Sequence, residues 1–274
     1  MTTTPRTRRQ FLTTAALGAG AILSEPAFAF GAPRPEIRAP AAILIDARSG
    51  KVLFEKNADE IRPIASTQKL LTSLILCETN LHGRLVVQSS DVAVEPTKLG
   101  LKPGQNYGRG YLMQAMLVRS CNDVARCLAR DCAGSEAKFG RLMTQRASRL
   151  GCRSSVFANA SGLPAPGQRS CARDLSKIAL ACYHVPVIRQ IVKIRSLPFR
   201  FPDGRRTTLE TTNKLMKRCS YVSGMKTGYT RASGKCLVSS GTGHGREVIA
   251  VILGSQDKYI WDESQQLIDY GLTA

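Results

Sequence analysis

The order of hydrophobic patterns along the chain constrains its fold more than any other feature. Residues 41–46 and 51–56 are two apolar-rich, strand-like runs around Asp46-Ala-Arg-Ser-Gly50, a hairpin signal with glycine in the turn. Residues 234–240 and 247–254 are again strand-like, joined by a glycine-rich turn, and 260–270 close as a helix. Helical patterns fill the space between. Residues 66–79 hold no Gly or Pro and are apolar enough for a buried helix. Leu112, Met113, Met116 and Leu117 keep one stripe, and Val124, Cys127 and Leu128 keep a second. Phe139, Leu142, Met143 and Leu150 line a third, with Ser135 as its N-cap and Gly151 as its end. Residues 154–169, with Gly162, Pro164, Pro166 and Gly167, read as a loop, and Ser170 as the cap of a helix running to about Tyr183. Strands at both ends with helices between them predict an α/β protein of the α+β type. One antiparallel sheet is built from both chain ends, and a helical lobe of roughly residues 80–165 is inserted.

The N-terminus reads as an address. Arg8-Arg9 is followed by Phe11-Leu12 and a weakly apolar run to Leu23, and Ala27-Phe28-Ala29 supplies small residues before a cleavage point. This pattern is that of a bacterial export signal and resembles the twin-arginine type. The run is too short to span a bilayer, which needs about 18 apolar residues, and no other segment approaches that length. Residues 30–40, with Pro33, Pro35 and Pro40, read as a linker, and 41–274 as a single domain. The expected location is the periplasm or cell envelope, with no membrane anchor once the signal is removed.

Charge and cysteine content follow from that destination. The chain carries 39 Lys and Arg against 20 Asp and Glu, a net charge of +19. Loss of Arg6, Arg8, Arg9 and Glu25 with the signal leaves about +17. With 6% aromatic residues and none interleaved with the arginines, single-stranded nucleic acid is a poor partner. An anionic cell-wall polymer suits an exported protein better. The hydrophobic content of 43% excludes a disordered chain. The nine cysteines are odd in number and show neither CxxC nor zinc spacing, so most read as small buried hydrophobes. His82, His184 and His244 show no metal spacing either.

Three short motifs carry the chemistry. Ser66-Thr67-Gln68-Lys69 opens the first predicted helix, and its spacing puts Ser66 and Lys69 on one face. A serine hydroxyl needs a base within hydrogen-bond reach, and a lysine serves when burial or a neighbouring cation lowers its pKa. Ser120-Cys121-Asn122 lies at a helix junction, where the serine can relay a proton. The Asn122 amide there can hold a substrate carbonyl or the lysine, or simply cap the next helix. Lys226-Thr227-Gly228 offers a cation and a hydroxyl to a substrate carboxylate beside an edge strand, with Gly228 permitting close backbone approach. Each motif alone is weak.

Together, in this order and spacing, they resemble the penicillin-recognising serine acyl-transferase superfamily. The flanks are similar to the D-alanyl-D-alanine carboxypeptidases among the low-molecular-mass penicillin-binding proteins. The similarity includes Ala42–Asp46, Ser49–Leu53, Lys56–Ala58, Ala65–Lys69 and Ser120–Asp123. It continues through Phe157–Leu163, Ala172–Leu175, Gly224–Thr230 and Gly234–Leu237. The resemblance implies a β-lactamase/transpeptidase-like fold with a five-stranded sheet. It implies that Ser66 attacks the bond between two D-alanines of a peptidoglycan stem peptide, with Lys69 as base and Ser120 as proton shuttle. Lys226 and Thr227 would bind the terminal carboxylate. The Ser66 N–H and one from the strand after Gly228 would form the oxyanion hole. β-Lactams would acylate Ser66, and no cofactor or metal is implied.

Some residues depart from the family pattern. Gln68 and Cys121 stand where small residues are usual, and Cys121 is expected beside the site, where an accessible thiol could be oxidised or alkylated. Residues 255–263 lack the arginine that relatives place after the last strand, leaving Lys258 as the nearby cation. A class A β-lactamase would need a carboxylate in the loop after the helical lobe, and residues 137–173 contain no Asp or Glu. A D,D-endopeptidase would use the same residues as the carboxypeptidase, and an inactive wall-binding protein would not need them intact. Arg173-Asp174 reads as an ion pair near a helix start, and Asn159 as a residue that shapes the 157–164 loop.

Overall fold

A computed structural model describes residues 33–273. The predicted export signal, residues 1–29, lies outside the described residues. The chain ends meet in one five-stranded antiparallel sheet of order β2-β1-β9-β8-β7. Its strands are β1 (Ala41–Asp46), β2 (Val52–Lys56), β7 (Val222–Thr230), β8 (Gly234–Gly243) and β9 (Arg246–Ser255). β1 and β9 have neighbours on both sides, and their runs AAILID and VIAVIL are buried almost without interruption. Such continuous apolar strands require cover on both faces. Helix α9 (Ile260–Thr273) supplies it on one face, where Leu267, Ile268 and Leu272 pack with Leu44, Val248 and Ala250. Helices α1 (Lys69–Glu78) and α6 (Ala172–Tyr183) cover the other, joining Ile43, Ile249 and Val251 to the larger core.

The inserted lobe falls where it was expected. It holds the small ribbon β3 (Arg84–Val86) with β4 (Asn106–Gly108), the short α2 (Ser89–Val92), and helices α3 (Arg109–Arg119), α4 (Asn122–Ala133) and α5 (Glu136–Arg149). Ser135 caps α5, its hydroxyl accepting the Lys138 N–H at 3.2 Å. The cap of α6 is Cys171 and not Ser170: the Cys171 sulfur accepts the Asp174 N–H at 3.4 Å, while the Ser170 hydroxyl meets that of Ser155 at 2.8 Å. A thiol is a weak acceptor. The Asp174 carboxylate strengthens this corner by taking the N–H groups of Arg153 and Ser154.

Several elements were hidden in the sequence: besides the β3–β4 ribbon and α2, they include helix α7 (Pro186–Ile191), the ribbon β5 (Ser196–Arg200) with β6 (Arg206–Glu210), and the short α8 (Leu215–Arg218). The ribbon is a separate two-stranded unit that tolerates Pro198, which would disfavour a central strand. Residues 33–40 are not a free linker. Ile37 and Ala39 are buried, the Arg38 and Ala39 N–H groups donate to Glu263 Oε1 at 2.6 and 2.8 Å, and Arg34 lies over the Phe54 ring. All nine cysteines are free in the structure, and seven of them are buried, in keeping with the reading of most as small buried hydrophobes. Among the described residues no helix is long and apolar enough to cross a membrane, and no cluster of side chains could hold a metal.

Candidate active site

The three motifs converge on one cleft of about 420 Å³ between the sheet edge and the helical lobe. Ser66 sits in a 3-10 turn, Ala65–Gln68, that leads into α1. Lys69 follows one turn later and is completely buried, with its Nζ 2.8 Å from Ser66 Oγ. The same nitrogen donates to Asn122 Oδ1 at 2.8 Å and to the Ser161 carbonyl at 2.6 Å. The Asn122 orientation is fixed by its other end, since Nδ2 donates to the Glu95 and Pro96 carbonyls at 3.1 and 2.8 Å. Two carbonyl partners there leave only the amide oxygen to face the lysine.

The helix junction places its two residues differently. Ser120 ends α3 in the left-handed region, φ 69°, with its N–H on the Met116 carbonyl at 3.0 Å. The chain then turns sharply, Cys121 caps α4, and Asn122 becomes its first residue. Ser120 therefore lines the cleft, and among the described residues its hydroxyl makes no hydrogen bond. Asp123 was not singled out from the sequence. Its carboxylate takes the N–H groups of Leu99, Gly100 and Leu101 and so pins the loop that brings Pro96 and Thr97 to the cleft wall.

Strand β7 supplies the third side. Lys226 is buried and donates to the Thr227 carbonyl at 3.0 Å, and the Thr227 hydroxyl meets that of Thr212 at 2.6 Å. Gly228 is needed for packing. A Cβ there would lie 3.0 Å from both Ser66 N and Ala65 Cβ, so the strand closes directly on the serine turn. Gly162 is tighter still: it has φ +87°, and a Cβ would come within 2.0 Å of the Ala65 carbonyl. Asn159 shapes this loop as expected, its Oδ1 accepting the Ser161 and Gly162 N–H groups and its Nδ2 donating to the Leu163 carbonyl. Gln68 ties α1 to it, donating to the Asn159 carbonyl at 2.6 Å. The Ser161 carbonyl escaped notice because a backbone acceptor leaves no trace in residue type.

Burial sets the electrostatics. The Lys69 ammonium is held well below its ordinary range, first by desolvation and then by repulsion from Lys226. Lys226 itself is lowered to about 7 by burial. Cys121 is not an accessible thiol: it is fully buried and its pKa is pushed up to about 12, chiefly by desolvation. Arg173 pairs with Asp59 and Glu55 at 2.8 and 2.7 Å, not with Asp174, and lies outside the cleft. Lys258 does not line the cleft either; it lies over the Tyr259 ring, and Lys214 and Lys235 line the cleft instead.

A serine hydroxyl against a buried, easily neutralised lysine, faced by a second serine and an edge strand, has the layout of an active-site serine acyl-transferase. The profile of the D-alanyl-D-alanine carboxypeptidase family matches residues 28–257, and the chain belongs to that family. It is 34% identical over 252 residues to the D-alanyl-D-alanine carboxypeptidase DacC of Escherichia coli, covering 86% of this chain and 62% of that one. It is 33% identical over 246 residues to DacB2 of Mycobacterium tuberculosis, covering 87% of this chain and 84% of the relative. The chain thus spans less than two thirds of the first relative and most of the second. A crystal structure of a D-alanyl-D-alanine carboxypeptidase from Mycobacterium tuberculosis superposes with a TM-score of 0.84 at 31% identity. That match covers 90% of this chain and 95% of the other.

Proposed function

We propose that this protein is a serine-type carboxypeptidase that removes the terminal D-alanine from peptidoglycan stem peptides through an acyl-enzyme on Ser66. The observation that carries this is the hydrogen-bond inventory of Lys69. A neutral amine has two N–H donors and one lone pair. Asn122 Oδ1 and the Ser161 carbonyl can only accept, so they take both hydrogens. The lone pair is left for the Ser66 hydroxyl, 2.8 Å away. Lys69 is then the base that takes the proton as Ser66 Oγ attacks the penultimate D-alanine carbonyl. Ser120 passes a proton to the leaving amine, and Thr227 and Gly228 receive the terminal carboxylate, with the buried Lys226 behind them. The Ser66 N–H and one from β7 stabilise the oxyanion. Water resolves the ester.

The same machinery makes β-lactams covalent inhibitors of Ser66. The surplus of positive charge suits work on an anionic wall outside the cytoplasm, in the periplasm. The test is incubation with a pentapeptide ending in D-Ala-D-Ala. Release of D-alanine by the wild type and not by Ser66→Ala supports the proposal, and no release by folded wild type sinks it. Exclusive cleavage of cross-linked wall fragments would make the protein an endopeptidase instead.

A further inference from the structure

The cleft mouth holds a charge cluster to which no role has been given. Lys214 follows Thr212 by two residues, and Lys235 stands at the start of β8. Both line the cleft, and both reach one carboxylate: Asp257 lies 3.0 Å from Lys235 Nζ and 3.9 Å from Lys214 Nζ. The Thr212 hydroxyl, in contact with that of Thr227, links this corner to the Lys226-Thr227-Gly228 strand. Aromatic rings back both ammonium groups, Tyr229 at 4.7 Å from Lys235 and Trp261 at 5.8 Å from Lys214. Trp261 Nε1 is buried and has no hydrogen-bond partner among the described residues. The corner therefore has two cations and one carboxylate. It is an anion site with positive charge to spare and an occupant supplied by the chain itself.

We propose that Asp257 is a built-in competitor for the substrate's terminal carboxylate, and that Lys235, with Lys214, is the cation that carboxylate engages on displacing it. The proposal rests on the carboxypeptidase reading above and names the groups that select a free carboxyl terminus. Displacement costs little because Asp257 is 57% exposed and its partners Lys214 and Lys235 are 67% and 32% exposed, and ion pairs this open to solvent are weakly held. The entering carboxylate regains the lost pairing and adds the Thr227 hydroxyl. Lys258, stacked on Tyr259 and outside the cleft, cannot take this part.

The test is steady-state kinetics on a peptide ending in D-Ala-D-Ala and on the same peptide with a terminal amide. Asp257→Asn should lower KM for the free acid about 2–5-fold with kcat unchanged, the range expected for one exposed pair. Lys235→Gln should raise that KM roughly 5–30-fold, with Lys235→Arg restoring most of it. Turnover of the amide should respond to neither. End-point labelling of Ser66 by saturating labelled penicillin is measured alongside. Loss of labelling in the wild type refutes the carboxypeptidase reading. With labelling intact, an unchanged or raised KM in Asp257→Asn refutes the competitor, as does an equal effect on acid and amide. Melting temperatures within a few degrees of wild type show that each variant is folded.

Discussion

Replacing Lys226 with methionine should make the protein more stable while impairing it. The side chain is 1% exposed, and its only polar contact among the described residues is the 3.0 Å bond to the Thr227 carbonyl. Burial lowers its pKa from 10.5 to about 7. Between those values the unfolded chain holds a proton that the folded chain has released, so stability rises with pH across this window and is most penalised at or below pH 7. At roughly 1.4 kcal/mol per pH unit, the penalty at pH 7 is about 5 kcal/mol. Methionine has a similar length and no charge to desolvate. It forfeits one hydrogen bond worth about 1 kcal/mol. The variant should gain about 3–4 kcal/mol at pH 7, or on the order of 10 °C in Tm for a domain of this size. The gain should fade as pH rises and be nearly gone by about pH 10, as the proton held only by the unfolded lysine is lost. Thermal unfolding followed by circular dichroism at pH 7, 8.5 and 10 measures this. A variant no more stable than wild type at pH 7, or a difference independent of pH, refutes the reasoning. Removing the Lys226 charge also relieves its repulsion of Lys69, so the acid limb of the penicillin acylation profile should move to higher pH.

Other perturbations have equally definite outcomes. Gly162→Ala drives a Cβ to within 2.0 Å of the Ala65 carbonyl at positive φ, and urea unfolding should show a loss above about 3 kcal/mol together with slower acylation. Asn159→Ala removes the acceptor for the Ser161 and Gly162 N–H groups. It should cost about 1–3 kcal/mol and slow acylation by loosening the Ser161 carbonyl that holds Lys69. Cys121, buried and with a pKa near 12, should resist iodoacetamide in the native protein and react only in denaturant, as peptide mass spectrometry can report. Arg173→Ala breaks pairs with Asp59 and Glu55 outside the cleft and should leave kcat/KM within twofold of wild type.

Much of this molecule is written in short-range pattern. Continuous apolar runs at both ends announce a sheet that closes the chain on itself, and β1 and β9 do pair residue for residue from Ala41 with Leu253 to Asp46 with Val248. The i, i+3, i+4 stripes announce α3 to α5, and the spacing of Ser66 and Lys69 at a helix start announces their 2.8 Å contact. These features depend on neighbours a few residues apart, which is why they survive in the string. Other properties needed the packed chain. The Lys69 pKa falls because helices and loops exclude water from it and because Lys226, far along the sequence, comes close. Its orientation depends on a carbonyl at Ser161 and an amide at Asn122. Cys121 is sheltered by complete burial, and Arg173 chose Asp59 and Glu55 over its neighbour because an adjacent carboxylate on a helix start points elsewhere. The cation at the cleft mouth moved from Lys258 to Lys235 and Lys214, since a strand and a loop separated in sequence meet there. Residue type and spacing determine which chemistry the chain can attempt. Desolvation and long-range contact decide which groups are charged, which are sheltered, and which face the substrate.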